Sequence, residues 1–369
     1  MHNCNVLFLT LKIFSSTGGI EKVCRIVGKA LTAMTIETGK KVCINSMHDE
    51  QKDINSKYFS QDIFRGFGGN KIKFVLKSIS SGRKNDVVIL SHINLLIIGY
   101  AIKVVSPKTK LILFAHGIEV WNNLPGWKLK MLKKCDLILP VSEFTKNKMI
   151  SLYGIEEKKL TVLNNCLDPF LPKADTAKRG ELLNRYGLNE SDKIILTVSR
   201  LTAKEKYKGY DQVIYAVKEL SNQMPDLKYL LIGKYDEDCK QRLDALVKEN
   251  GIEDKVIFTG FIDDAEIADH FKLADLYVMP SLKEGFGIVF IEAMYYGLPV
   301  IAGNKDGSVD ALANGELGTL VDPDDQEQLI NSIENVLKNK EQYIPNNLLL
   351  MNKFSYKVYK EKLLAVLGG

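Results

Sequence analysis

Two glutamates, Glu284 and Glu292, stand eight positions apart on either side of a turn made of Gly285, Phe286, Gly287 and Ile288. The turn follows an apolar run at 276–279, so the segment reads as strand, turn and helix. Main-chain N–H groups at a helix start lack intrahelical partners and face the positive end of the dipole, which suits them to a phosphate. Glycine at 285 and 287 lets the main chain come close to a bulky anion. Glu284 then stands at the loop tip, and Glu292 about two turns into the helix, roughly 10 Å further along. One carboxylate can meet one end of a long ligand and the other its far end, as a sugar nucleotide requires. Over this segment alone, a plain turn with solvated glutamates reads the same.

Further polar groups also follow short apolar runs. The stretch from Ser15 through Gly18, Gly19 and Glu21 opens a helical pattern after the run 6–10, and its N–H groups offer a second phosphate-facing turn. His116 follows the run 111–115, where an imidazole can donate to a substrate oxygen or settle as a structural histidine. Arg200 follows the run 194–199, with Lys208 and Gly209 shortly after. These two cations can neutralise a leaving diphosphate, or equally serve structural salt bridges.

The elements that must position these groups alternate between strand and helix, which predicts an α/β chain with parallel sheets. In the first half, strands are expected at 6–10, 42–45, 87–91, 111–115, 137–141 and 160–163, with helices at 20–38 and 143–152 among those between. After a polar, strand-poor stretch, a second series begins. Its strands are expected at 194–199, 228–232, 256–259, 276–279 and 300–302, and its helices at 210–224, 238–250, 265–272, 287–296 and 325–338. Two Rossmann-like domains follow, residues 1–168 and 190–345, joined by a linker. A last helix at 355–367 has no strand after it and is expected to return to the first domain, within a segment 352–369. Ligands of open α/β sheets collect at the carboxyl ends of strands, so the site is expected in a cleft between the two sheets.

Composition narrows the class. With 369 residues, 46% of them hydrophobic and 26% charged, the chain is ordinary for a globular protein of two or three domains. No run reaches the ~18 apolar residues of a membrane span. The start of the chain reads as a buried strand rather than a signal peptide. A net charge of +5 is too mild to imply nucleic acid. Six cysteines (Cys4, Cys24, Cys43, Cys135, Cys166, Cys239) show no metal spacing, which suggests reduced thiols in a cytoplasmic setting. Basic residues cluster around the apolar stretch 72–79, and in a second basic segment, 127–134, apolar residues keep helical spacing. Such a pattern fits either a helix on an anionic membrane surface or the solvated face of a docked helix.

Taken together, these residues resemble the retaining glycosyltransferases of family 4, which have the GT-B fold, and the likeness covers nearly the whole chain. Its most specific part is Glu284 to Glu292, which matches the E-x7-E signature. Supporting matches are Gly18-Gly19-x-Glu21, His116-Gly117, Ser142-Glu143, Arg200 with Lys208-Gly209, Gly260-Phe261, Gly297 to Ile301, and Leu320 to Pro323. The resemblance implies that Glu284 contacts the donor sugar and Glu292 the ribose diol. Arg200 and Lys208 would bind the diphosphate, helped by N–H groups around Phe286, Gly287, Ile288 and Gly19. His116 would reach the sugar near its reacting carbon, the main chain of Phe261 and Ile262 would read the base, and Gly233 and Ser281 would line the pocket. Two departures stand out. The spacing from Arg200 to Lys208 exceeds the commoner one, and Gly307-Ser308 and Asp310 replace the family's usual Gly-Gly and Glu.

The implied reaction is transfer of a hexose, with retention, from a UDP- or GDP-sugar to a saccharide acceptor. It needs no cofactor and no metal, because electrostatic stabilisation of the leaving phosphate comes from Arg200, Lys208 and the helix start. A glycosidase-like double displacement would place two carboxylates roughly 5 Å apart, and no such pair is evident. The basic, partly aromatic first half favours a lipid-linked acceptor in bacterial surface polysaccharide synthesis, and an enzyme at the inner face of the membrane. The rivals are a metal-dependent transferase using Asp236-Glu237-Asp238 or Asp322-Pro323-Asp324, a sugar-nucleotide epimerase of the same fold, and a non-catalytic nucleotide-sugar-binding subunit.

Overall fold

The computed structural model describes residues 5–368. The chain forms two compact units: one runs to Pro169 and resumes at Ser355, and the other is Phe170–Phe354.

The first unit is built on strands β1 (Val6–Thr10), β2 (Val42–Ser46), β3 (Phe64–Gly66), β4 (Val87–Leu90), β5 (Lys110–Ala115) and β6 (Leu137–Pro140). They form one parallel sheet in the order β3-β2-β1-β4-β5-β6. Every residue of β1 is buried, because helices cover both faces of a parallel sheet and its central strands read as unbroken apolar runs. In the register, Phe8 of β1 lies between Ile44 of β2 and Ile89 of β4.

The second unit repeats the plan with β7 (Lys193–Val198), β8 (Leu227–Ile232), β9 (Val256–Gly260), β10 (Leu276–Met279), β11 (Val300–Gly303) and β12 (Thr319–Val321). Its order, β12-β11-β10-β7-β8-β9, is the same Rossmann arrangement. Each sheet reverses its winding beside its first strand, at β1/β4 and at β7/β10. A ligand-sized crevice belongs at each reversal.

Most expected elements are present, and the differences have physical reasons. The expected strand at 160–163 is a single bridge between Ile138 and Leu160. The short strands β3 and β12 escaped notice because three residues are too few to show alternation. The stretch read as a linker holds a helix, Arg179–Tyr186, that packs against the helix Ile267–Leu273 of the second unit. The helix Asn347–Phe354 also stays with the second unit, where Phe354 meets Phe286 edge-on, so the returning segment begins at Ser355 rather than 352.

That segment forms the helix Tyr356–Gly368, which buries Tyr359, Leu363 and Leu367 at four-residue spacing. It lies against the helix Gly19–Thr38 of the first unit, and Lys360 pairs with Glu37 at 2.7 Å. The expectation of six reduced thiols needs correction. Cys43 is disulfide-bonded, Cys24, Cys135, Cys166 and Cys239 are free and buried, and Cys4 lies outside the described residues. No helix among the described residues is long and apolar enough to cross a membrane.

Candidate functional site

In the second unit, the loops after β7 and β10 lie beside the winding reversal and bring several candidates together. Lys208 ends a short 3-10 segment, Ala203–Lys208, and its ammonium pairs with the Glu284 carboxylate. The two side chains are only 16% and 14% exposed. Burial works against the Lys208 ammonium, but the charge and hydrogen bond of Glu284 outweigh it, and Lys208 titrates above its ordinary value. Gly209 follows with a φ of 82°, and a Cβ there would stand 2.5 Å from the Pro280 carbonyl oxygen. Only glycine lets the Lys208 turn press against the Glu284 loop.

Arg200 is mostly exposed and pairs with Glu205, which is nearly buried. Tyr207 lies within electrostatic reach of both ion pairs. Burial raises its hydroxyl pKa, Lys208 and Arg200 oppose this, and Glu205 and Glu284 add to it. All four charges therefore act on one ring. The Lys208 ammonium lies 5.6 Å from that ring's centre, and the Tyr207 carbonyl accepts the Leu282 N–H at 2.9 Å. Neither Tyr207 nor Glu205 figured in the sequence reading.

The Glu284 loop is held from beneath by Asp306, on the loop after β11. Asp306 is fully buried. One of its oxygens accepts the Ser281 hydroxyl at 2.7 Å and the Glu284 N–H at 2.6 Å, and the other accepts the Ser308 N–H at 2.9 Å. The next residue, Gly307, donates its N–H to the Glu284 carbonyl at 2.8 Å. Burial pushes the Asp306 carboxyl up to about 6, against the pull of these hydrogen bonds. Sequence offered one signal for it, an Asp-Gly-Ser turn two residues after the end of an apolar strand.

The remaining second-unit candidates are spread along the same strand ends. Gly287 precedes the helix Ile288–Tyr295 with a φ of 84°, and no side chain caps that helix. Glu292 is buried within it. Phe286 is a core side chain, so only its main chain is available to a ligand. Gly285 presents its carbonyl to Gly307 at close range. Gly233 follows β8 and donates its N–H to Gly260 at 3.0 Å, while Phe261 is exposed and Ile262 half-buried after β9. The acidic triplets act locally: Asp236 caps the helix Glu237–Glu249, and Asp322 and Asp324 pair with Lys305.

In the first unit, Gly18 is the extended N-cap of the helix Gly19–Thr38, and open space surrounds the Gly19 α-carbon. The loop before it is pinned as the Glu284 loop is. Asp49, fully buried after β2, accepts the N–H groups of Ile13, Phe14 and Ser15 at 2.7, 3.0 and 2.6 Å, and the Ser46 hydroxyl. His116 follows β5. Its Nε2–H donates to the Ser91 carbonyl at 2.8 Å, and its main-chain N–H donates to Glu119 at 2.5 Å. Nδ1 is therefore the His116 ring atom left for a substrate.

A pocket of about 530 Å³ opens at this sheet's own reversal, between β1 and β4. Lys12, His48, Lys71 and His92 supply its basic nitrogens, Asn94 an amide, Glu21 its acid, and Leu11, Met47, Val75 and Ile98 much of its apolar wall. Burial holds His92 below its ordinary value, so its ring is neutral near pH 7.

Two sheets of Rossmann order, the second with paired cations and carboxylates beside a glycine turn, define a protein of the GT-B fold. Comparison with known proteins agrees. Residues 178–348 match the Glycosyl transferases group 1 family, and residues 17–169 match Glycosyltransferase Family 4. The chain belongs to glycosyltransferase family 4.

Among relatives, it is 28% identical to a GDP-mannose-dependent alpha-(1-6)-phosphatidylinositol monomannoside mannosyltransferase of Mycolicibacterium smegmatis, over 62% of this chain and 61% of that protein. It is 30% identical to the mannosylfructose-phosphate synthase of Agrobacterium fabrum, over 55% of this chain and 45% of that one. The match thus spans less than two thirds of either relative. Among solved structures, Anabaena HepE in complex with UDP superposes with a TM-score of 0.82 at 19% identity, covering 98% of this chain and 99% of HepE. That likeness establishes the fold.

Proposed function

We propose that this chain transfers a hexose from a nucleotide-diphosphate sugar to a saccharide acceptor, with retention at the anomeric carbon. The observation that carries the reading is the grouping of Lys208, Glu284, Arg200 and Glu205 around Tyr207, beside the winding reversal of the second unit. Residues 190–345 would hold the donor, with Glu284 on the sugar, Glu292 on the ribose and the main chain at Phe261 and Ile262 on the base. The anomeric C–O bond to the diphosphate breaks as the acceptor oxygen bonds to the same carbon from the same face. The acceptor's proton passes to the leaving phosphate oxygen, whose growing charge Lys208 and Arg200 stabilise. His116, through Nδ1, and the N–H groups near Gly18 and Gly19 are the first unit's candidates for this chemistry. No metal is required in this scheme. GDP-mannose is named for the mycobacterial relative and UDP-glucose for one HepE complex, so both donors belong in the first screen.

The acceptor is assigned to the first unit, the residues up to Pro169 together with those from Ser355. In the pocket between β1 and β4, Lys12 and Lys71 suit a phosphate and the apolar wall suits a lipid chain, which supports a lipid-linked saccharide. Nearby, the helix Lys71–Gly82 exposes Ile72 (76%) and Leu76 (65%) among lysines, a face suited to the anionic inner surface of a membrane. Four free thiols support a cytoplasmic setting, and the Cys43 disulfide bond counts against it.

The test is donor turnover across a panel of UDP- and GDP-sugars, with and without lipid-linked acceptors. Transfer with retained configuration, lost in Lys208→Ala, is expected. Conversion of the donor to its epimer without acceptor would replace the reading with an epimerase. Donor binding without any turnover would leave a binding subunit.

A further inference from the structure

We propose that Asp306 is a positioning residue of the second unit's site, setting the place of the Glu284 carboxylate by gripping the main chain of the Glu284 loop. The inference rests on the proposed donor-binding role of Glu284. Glu284 is held at both ends of its backbone: its N–H donates to Asp306, and its carbonyl accepts from Gly307. Ser281, at the start of the same loop, donates to the same Asp306 oxygen. With the backbone fixed, the Glu284 side chain has a defined reach to Lys208.

The grip calls for a carboxylate. Asp306 accepts all three of these hydrogen bonds, two of them from main-chain N–H groups that cannot turn round and accept. An amide in its place would turn an NH2 towards at least one of these donors. A carboxylate buried this fully is costly unless hydrogen-bonded, and two of its three bonds go to the loop that carries Glu284. The charged groups around it are few. Glu284 raises its pKa, and Lys208 neutralises Glu284 in turn. Lys305, its neighbour in the chain, points to Asp322 and Asp324, and Asp310 lies on the short helix Ser308–Ala311 that follows.

Protonation weakens the grip, so activity should acquire an acid limb. As pH falls through about 6, the carboxylate becomes a carboxylic acid with a proton to place among donors.

The experiment compares Asp306→Asn with wild type in two measurements. The first is amide hydrogen exchange of the peptide covering 280–290, which reads the loop whatever the substrate. The second is kcat and KM for the best nucleotide sugar between about pH 5 and about pH 8. In the variant, exchange of this peptide should quicken while the peptides of β7 and β8 stay protected. Its kcat/KM should drop by about 10-fold or more, the scale of a lost charge-assisted hydrogen bond. The wild-type acid limb near 6 should vanish.

A variant with wild-type exchange at 280–290 overturns the proposal, as does one that keeps the acid limb unchanged. Uniformly faster exchange throughout the second unit would mark Asp306 as a general stabiliser and also overturn it. If wild type turns over no nucleotide sugar, the functional reading falls, while the exchange result still decides whether Asp306 holds the loop.

Discussion

Lys208 and Glu284 form an ion pair across two loops of the second unit, so the cation proposed for the diphosphate already has an anionic partner before any donor arrives. On the proposed assignment, donor binding exchanges that partner for phosphate and gives the Glu284 carboxylate sugar hydroxyls in return. Lys208→Ala and Glu284→Ala should each lower transfer by at least ~100-fold. In the double variant the two losses should not add, because each single change already leaves its partner largely buried and unpaired. Steady-state rates of the three variants decide this. Near-wild-type rates in both single variants would remove the site assignment.

Chelation should leave the activity intact. Asp236 caps a helix, and Asp322 and Asp324 pair with Lys305, which gives these carboxylates local structural roles. Transfer assayed in excess EDTA should match the untreated rate. A loss restored by Mg2+ or Mn2+ would favour the metal-dependent rival.

Asp49 should contribute stability that depends on pH in the opposite sense to Asp306. Burial alone would raise its carboxyl, but hydrogen bonds from Ser46 and Ser15 outweigh it, and its value lies below the usual one. A depressed carboxylate stabilises the fold above its unfolded value, and the contribution is lost as pH falls through the folded one. Asp49→Asn should therefore cost about 2–4 kcal/mol near neutral pH, with the gap from wild type closing below about pH 4. Denaturant melts of both proteins across pH give the comparison. Asp306 has a raised value, so its own contribution is fully present below its unfolded value and is lost as pH rises through about 6.

Gly307→Ala should impair donor binding. A Cβ at that position would stand 2.1 Å from the Gly285 carbonyl oxygen, which real atoms do not tolerate, so the Glu284 loop must move. Calorimetric titration with UDP and GDP should show affinity reduced by about 10-fold or more, the scale of one lost charge-assisted contact. Unchanged affinity for both nucleotides would mean that this loop does not touch the donor.

The exposed face of the helix Lys71–Gly82 can be tested apart from catalysis. Replacing both Ile72 and Leu76 with Glu should cut partition onto phosphatidylglycerol vesicles by about 10-fold or more, since it removes apolar area and adds like charge. Donor hydrolysis without acceptor should be unaffected. Equal partition of variant and wild type would return this helix to an ordinary solvated face.

Much of the fold is legible in the sequence, because parallel strands covered on both faces are continuous apolar runs and the turns after them carry glycine or a charge. Leu276–Met279 followed by Glu284 and Gly285 shows this well. What escaped is tertiary by nature. Asp49 and Asp306 look like turn residues in the sequence, and only the folded chain shows each carboxylate reaching the loop of a neighbouring strand. Tyr207 likewise gains meaning only once Arg200 and Lys208 flank it in space. The lone bridge at Leu160 errs the other way, since an apolar run at a sheet edge has strand chemistry without a full partner.

The helix Tyr356–Gly368 belongs to the unit that starts near residue 5, so Phe170–Phe354 is in effect an insertion within that unit. During synthesis the ribosome therefore releases a complete second sheet and its covering helices before the first unit has its last piece. Val23, Ile26 and their neighbours along Gly19–Thr38 are made early, but the helix that packs against theirs comes only after Ser355. The half assigned to the acceptor, and to the membrane, would thus be the last to mature, after the donor half has already closed on its own core.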